Sequence, residues 1–234
     1  MKRNQDYKNA GLAALKGNWE RAILAAFVMV FVSAVTNLMI WCVGLIFEYK
    51  DLILNQLGWL FYPMAISCII DLLVLFVYVI LPLTVAFINS FSKMYSGVER
   101  NPLAYLKETT FKSKIRSTAA ILLMNIVVSV YSLALLVPGI IASMSLFLTP
   151  YLIKDNPELK VVDTLRLSRK MMQGHKLQLF KLQLSFLGWI FLNLLTLGIG
   201  SLWLLPYMMT TMAAFYQDVK AEYLKKEGLQ ESAS

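Results

Sequence analysis

The sequence predicts an all-α fold, a polytopic membrane helix bundle of about six transmembrane helices arranged as three hairpins, with short amphipathic helices on the cytoplasmic side. Three observations carry this. Of 234 residues, 58% are hydrophobic and only 15% charged, whereas soluble domains are nearer half apolar and a quarter charged. The apolar residues fall into runs long enough for a bilayer core of about 30 Å. All of the 22 lysines and arginines except Lys50 lie on one side of those runs, the side that the positive-inside rule reads as cytoplasmic.

The first run, 22–47, carries no charge and spans with some tilt. The charged stretch before it extends to Arg21, and the run is too long for a signal-peptide core, so it is expected to remain as the first transmembrane helix. The second, 62–91, would be about 45 Å long as one helix. Pro63 and Pro82 predict an interfacial start near Trp59 and Tyr62 and a kinked helix from about Met64. After a polar, basic segment, the uncharged stretch 119–153 is broken by Pro138-Gly139, which predicts a tight hairpin of 118–137 and a rather short 139–153. A second polar segment leads to 178–197 and 200–217, turning at Gly198-Ile199-Gly200. An even number of crossings places both termini in the cytoplasm, with 218–234 as a polar tail.

The polar segments have helix-start signals of their own, Asn101-Pro102 and Asn156-Pro157-Glu158. From Leu159 the apolar Val162, Leu165 and Met172 recur with roughly helical spacing, and Gly174 is a plausible stop. Two readings fit: an amphipathic helix on the inner membrane surface, or a connector packed on the bundle. The first makes Arg166, Arg169, Lys170, His175 and Lys176 candidate contacts to the inner leaflet. Leu15-Lys16-Gly17-Asn18-Trp19 leads into the first span much as Met172-Gln173-Gly174-His175-Lys176 leads into the fifth, and Pro82, Pro150 and Pro206 fall in the even-numbered spans. A hairpin unit used three times would give this pattern, as would ordinary proline abundance in membrane helices.

Asp71 is the acid well inside an apolar run, where a carboxylate is expensive and by default a functional hypothesis. Its distance from Met64 also allows it to reach the outer interface. With Asn125 and Asn37 it forms a candidate polar membrane site, which would suit a small transporter. Helix-to-helix hydrogen bonding is the alternative role for Asn37, Asn125, Asn193, Gln178 and Gln183. Cys42 and Cys68 read as small hydrophobes, and the methionines as packing. Trp19, Tyr95, Tyr151 and Tyr216 on the inner side, with Trp59 and Tyr62 on the outer, fit aromatic belts. His175 has no evident nucleophile or acid partner and reads as interfacial or capping. A single histidine excludes a multi-histidine metal site within the chain. No nucleotide, zinc or hydrolase motif occurs, which argues against a familiar enzyme and gives no reason to expect a cofactor. The net charge of +8 sits in segments flanking apolar runs, which speaks for membrane lipids over nucleic acid. Membrane-protein partners or a homo-oligomer are the other expected associations.

Several stretches resemble a bacterial integral membrane family, domain of unknown function 975. They are Ala14-Leu15-Lys16-Gly17-Asn18-Trp19, the run from Leu167 to Lys176, Phe180 with Leu182 to Trp189, Leu197-Gly198-Ile199-Gly200, Leu205-Pro206-Tyr207 and Ala213-Ala214-Phe215-Tyr216. That family is similar to the membrane domain accompanying some glycerophosphodiesterases. The resemblance implies a bacterial cell-membrane module without the catalytic barrel, which needs about 250 residues of its own, and it transfers no active-site residues. The ordered basic cytoplasmic surface beside a charge-poor core favours a non-enzymatic module that meets lipids or partner proteins at the inner leaflet.

Overall fold

The computed structural model describes residues 2–50, 58, 61–98, 111–134 and 136–228, and among these every regular element is helical. In chain order they include α1 (Asn4–Leu15), α2 (Trp19–Glu48), α3 (Phe61–Leu75), a π-helical turn (Phe76–Ile80), α4 (Leu81–Tyr95), α5 (Phe111–Ala134), α6 (Leu136–Leu146), α7 (Thr149–Asp155), α8 (Val161–Met171), α9 (Lys176–Leu184), α10 (Leu187–Leu195) and α11 (Ser201–Lys226). Among the described residues, four stretches are long and apolar enough to cross a membrane, Trp19–Leu45, Ile115–Leu133, Val137–Asp155 and Lys176–Leu195. The chain is accordingly a membrane protein. The helix start expected at Asn101-Pro102, the outer Trp59 and the last residues of the expected tail lie outside the described residues.

The first apolar run is α2, as expected. The kink expected at Pro82 is a π turn immediately before α4. Pro82 has no N–H for the carbonyl four residues back and its ring crowds that carbonyl, so the turn widens to let the chain continue. Pro138 lies in the first turn of α6, where a missing N–H is harmless. Gly139 serves a different need, because a Cβ there would come within 2.9 Å of Ser132 Cα on α5. The turn at Gly198-Ile199-Gly200 forms where the sequence placed it, with Gly198 at φ 87°.

Asn156-Pro157-Glu158 does not start a helix. Asn156 ends α7, and α8 begins at Val161. The Arg116 guanidinium donates to the carbonyls of Asn156 and Leu159, which fixes the intervening residues as a turn. The face of α8 carrying Thr164, Leu165, Ser168 and Met171 is buried against the bundle, and Val162, Arg166, Arg169 and Lys170 point outward. The connector reading therefore describes its apolar face, which meets protein instead of lipid.

α1 was not anticipated. Its first turn is closed by the Arg3 backbone N–H donating to Asp6 Oδ2 at 2.9 Å, and it lies along α11. The matching pentapeptides read in the sequence have matching geometry. Gly17 and Gly174 turn at φ 80° and 83°, each joining a short helix to the start of an apolar one.

Tyr151 and Tyr216, expected in an aromatic belt, are core residues. Their rings stack at 4.7 Å between centroids, and the Tyr216 hydroxyl donates to Asp155 at 2.6 Å. A buried hydroxyl needs such a partner, and Asp155 supplies it. Around this pair, α11 packs Met212, Ala214 and Phe215 against Tyr7, Leu152, Met172, Leu179 and Leu182.

The crossing of α1 and α11 depends on Gly11, where a Cβ would lie 2.7 Å from Thr211 Oγ1 and 2.9 Å from Thr211 N. Gly11→Val is expected to cost about 1–3 kcal/mol through overpacking. A lowered Tm in detergent checks this, with Gly44→Ala as the control, since nothing lies within 4 Å of a Cβ at Gly44.

Candidate functional site

One end of the bundle is a charged layer organised by the last turns of α11. Asp218 accepts from Tyr7 at 2.6 Å and pairs with Lys2 at 2.9 Å. Gln178 donates to the Lys2 carbonyl at 2.7 Å, which draws the start of α9 to the same point. Asp155 pairs with Lys220 at 2.5 Å, Glu222 with Lys226 at 2.9 Å, and Glu227 with Lys170 at 2.8 Å. Lys8 donates to the Ser185 carbonyl at 2.8 Å with its ammonium 4.4 Å from the centre of the Phe186 ring. This bond sits at the break between α9 and α10.

Beside this layer the bundle is cleft. One lobe, of about 310 Å³, is lined from α4 by Ile88, from α5 by Met124, Asn125 and Val128, and from α6 and α7 by Ser143, Met144, Phe147, Pro150 and Tyr151. A second, of about 400 Å³, is lined by Phe180, Leu184, Leu187, Ile190 and Met208. Phe147, Gln183, Met209 and Met212 line both. Nearly all of this surface is apolar and much of it methionine, which adapts to irregular apolar guests. The carboxamides of Asn125 and Gln183 have no hydrogen-bond partner among the described residues and are available to a ligand.

Cations stand on the same helices toward the charged end. Lys93 follows Ile88 on α4, Arg116 precedes Met124 on α5, and Lys154 follows Tyr151 on α7. The three are close enough that the charges of Lys93 and Arg116 act on Lys154, and Glu158 lies near Arg116. On α9, Lys176 shares a stripe with Phe180, Gln183 and Leu184 at spacings of four, seven and eight residues. It has no acidic partner among the described residues.

The structure disperses the residues that the sequence nominated. Asn125 lines the cleft. Asn37 and Asp71 do not; both are exposed on the α2–α3 pair, and Asn37 donates to its own helix at the Ser33 carbonyl, 2.8 Å away. Arg166 is exposed and lies 3.4 Å from Asp163, Arg169 is exposed, and Lys170 is taken by Glu227. His175 is buried, 3.6 Å from Glu222. Of the amides read as helix ties, Gln178 makes one. Asn89, not nominated, makes another by donating to the Pro150 carbonyl at 2.6 Å. Lys93, Arg116 and Lys154 were also missed. Each is the cation that borders the apolar run of its helix, a position that the positive-inside rule treats as generic.

The family described as protein of unknown function (DUF975) matches residues 60–223. The chain belongs to that family. No curated protein and no solved structure matches it. The matched region holds most of the cleft and leaves out α1 and α2, so the α1–α11 tie lies partly outside it.

Burial pushes the His175 imidazole pKa below its usual value, with Lys226 adding to the effect and Glu222 and Asp218 opposing it. The folded protein therefore takes up this proton less readily than the unfolded chain. The stability involved is intact above about pH 6.5, the ordinary histidine value, and is lost as pH falls through the lower folded-state value. Melting curves from about pH 7.5 to pH 5 should show Tm falling with acidification, and His175→Gln should remove that component of the slope.

Proposed function

We propose that the chain is a non-enzymatic module of a bacterial cell membrane that holds an anionic phospholipid of the inner leaflet. Six crossings in three hairpins underlie the reading: α2 with α3–α4, α5 with α6–α7, and α9–α10 with α11. Both termini are cytoplasmic. The one-sided lysines and arginines support this orientation, and the gathering of the charged layer at one end of the bundle agrees with it.

The observation that carries the lipid reading is the placement of Lys93, Arg116 and Lys154 on three of the helices that line the apolar cleft. Lys93, Arg116 and Lys154 suit a phosphate, and Lys176 extends the positive surface. The amides of Asn125 and Gln183 lie deeper, where the ester carbonyls of a lipid would accept from their N–H groups. Beyond them the methionine-lined lobes suit acyl chains. Among the described residues the lining has no carboxylate and no imidazole, and its hydroxyls are those of Ser143 and Tyr151. Ser143 already donates to the Ile140 carbonyl at 2.9 Å. Such a site is suited to holding a lipid, and it lacks the acid–base pair that hydrolysis needs.

Native mass spectrometry of the protein released from nanodiscs tests this. Phosphatidylglycerol should be retained over phosphatidylcholine. The Lys93→Gln, Lys154→Gln double variant should lose about thirtyfold of that preference, at about 1 kcal/mol per lysine, while still retaining lipid. Met212→Trp, which fills both lobes, should lose lipid of either kind. Equal retention of the two lipids by the unaltered protein would overturn the proposal.

A further inference from the structure

The α2–α3 pair presents a different problem from the cleft. Beyond the core formed by Leu15, Ala22, Ala25, Phe87, Phe91 and Met94, most of its described side chains are exposed. Trp41 is 62% and Tyr62 60% accessible, and Leu38, Ile66 and Leu73 are similar. Lipid satisfies such residues, and by themselves they require nothing else. Two polar groups on the same surface are not satisfied that way. Asp71 is exposed and has no hydrogen bond or ion pair among the described residues. Asn37 spends one N–H on the Ser33 carbonyl and keeps its other N–H and its Oδ1 unused.

Helix length turns this into a dilemma. The uncharged part of α2, 22–47, is about 39 Å long, against a hydrocarbon core of about 30 Å. If the pair stands upright with Arg21 at one surface, Trp41, Phe47, Tyr62 and Ile66 emerge into water. If it tilts enough to hide them, Asn37 and Asp71, already about 5 Å inside the core in the upright pose, sink deeper into hydrocarbon, where an unpaired carboxylate is costly. A partner covering this face removes both costs.

The geometry points to a second copy of this chain as that partner, seated on the exposed α2–α3 face so that Asn37 of each copy donates to Asp71 of the other. Asn37 lies eleven residues before the end of α2 and Asp71 ten after the start of α3. Along packed antiparallel helices these are about 16 and 15 Å from the same end of the pair. A donor and an acceptor at matched height on one surface are self-complementary under a two-fold axis, so the bond forms twice. Pairing Asp71 with Asp71 would instead oppose like charges. The inference uses the membrane reading but not the lipid-binding one.

The full chain, tag-labelled at its C-terminus and diluted into liposomes, should bleach in two steps in single-molecule counting. Asp71→Leu makes α3 more apolar and so preserves insertion, but it should lower the dimer fraction at least about fivefold, the equivalent of about 1 kcal/mol of interhelical hydrogen bonding. Asp71→Asn, which still accepts a hydrogen bond, should keep most of the dimer. A short bis-maleimide should join the copies through the native Cys42 or Cys68, both free thiols on this pair of helices. One-step bleaching of the unaltered chain would overturn the inference. So would an undiminished dimer in Asp71→Leu, a dimer without either cysteine product, or a different protein occupying the face in native membranes.

Discussion

Asp155 accepts from Tyr216 and pairs with Lys220, and through those two bonds the end of α7 is fixed to α11. Asp218 does the same for α1 through Tyr7 and Lys2, and Glu222 faces His175 at the start of α9. Hydrogen bonds with an ionised partner are roughly twice as strong as neutral ones. A charge left unpaired in a part-buried site costs more than the pair contributes. The charged end of α11 therefore fixes the relative height of α7 and α1, because sliding either by one turn would strand Asp155 or Asp218, and the Gln178 bond to the Lys2 carbonyl ties α9 to α1. Apolar packing alone has no such register, and the apolar surfaces here are too uniform to supply one.

With that end fixed, the bundle is free to be loosely packed elsewhere. The α5–α6 hairpin closes on itself at Gly139 and Ser132, and the α10–α11 hairpin at Gly200, where a Cβ would meet Asn193 and Thr196 at 3.0 Å. α10 buries no residue at all. Between the two hairpins stand Phe147, Gln183, Met209 and Met212, long side chains that touch without filling the space. The cleft is thus a consequence of hairpins that are tight within themselves and joined mainly at the charged end. In hydrocarbon such a gap is not empty of partners, since lipid chains are as apolar as the lining.

The parts of this fold that were legible in the sequence are those set by local chemistry. Charge-free runs gave the apolar helices, and Gly198-Ile199-Gly200 gave its turn, because left-handed backbone at Gly198 is a property of the residue itself. The parts that were not legible depend on distant residues. Asn156-Pro157-Glu158 has every mark of a helix start, yet Arg116, forty residues earlier, holds it as a turn. Tyr151 and Tyr216 have the composition of belt residues, and only Asp155 converts them into core. α1 carries little apolar patterning of its own and exists through Gly11 and Tyr7, each matched to one residue of α11. The cleft was half visible. Asn125 stood out as an amide in a span, but Gln183 and the methionines have no pattern that separates a lining from a packed interior.

The same reasoning explains why the two polar regions of the molecule ask for different partners. At the charged end, Asp155, Asp218, Glu222 and Glu227 each meet a cation within the chain, and the cations outnumber them. The surplus is positive, and in the proposed orientation anionic headgroups would supply the balance without ordering a second protein. At the α2–α3 pair the deficit is a single carboxylate, and hydrocarbon offers it neither a counter-ion nor a donor. On these two proposals lipid would complete the first region but not the second, whose missing group would come from a polypeptide carrying an amide or cation at the same height. The chain itself carries such a group at Asn37.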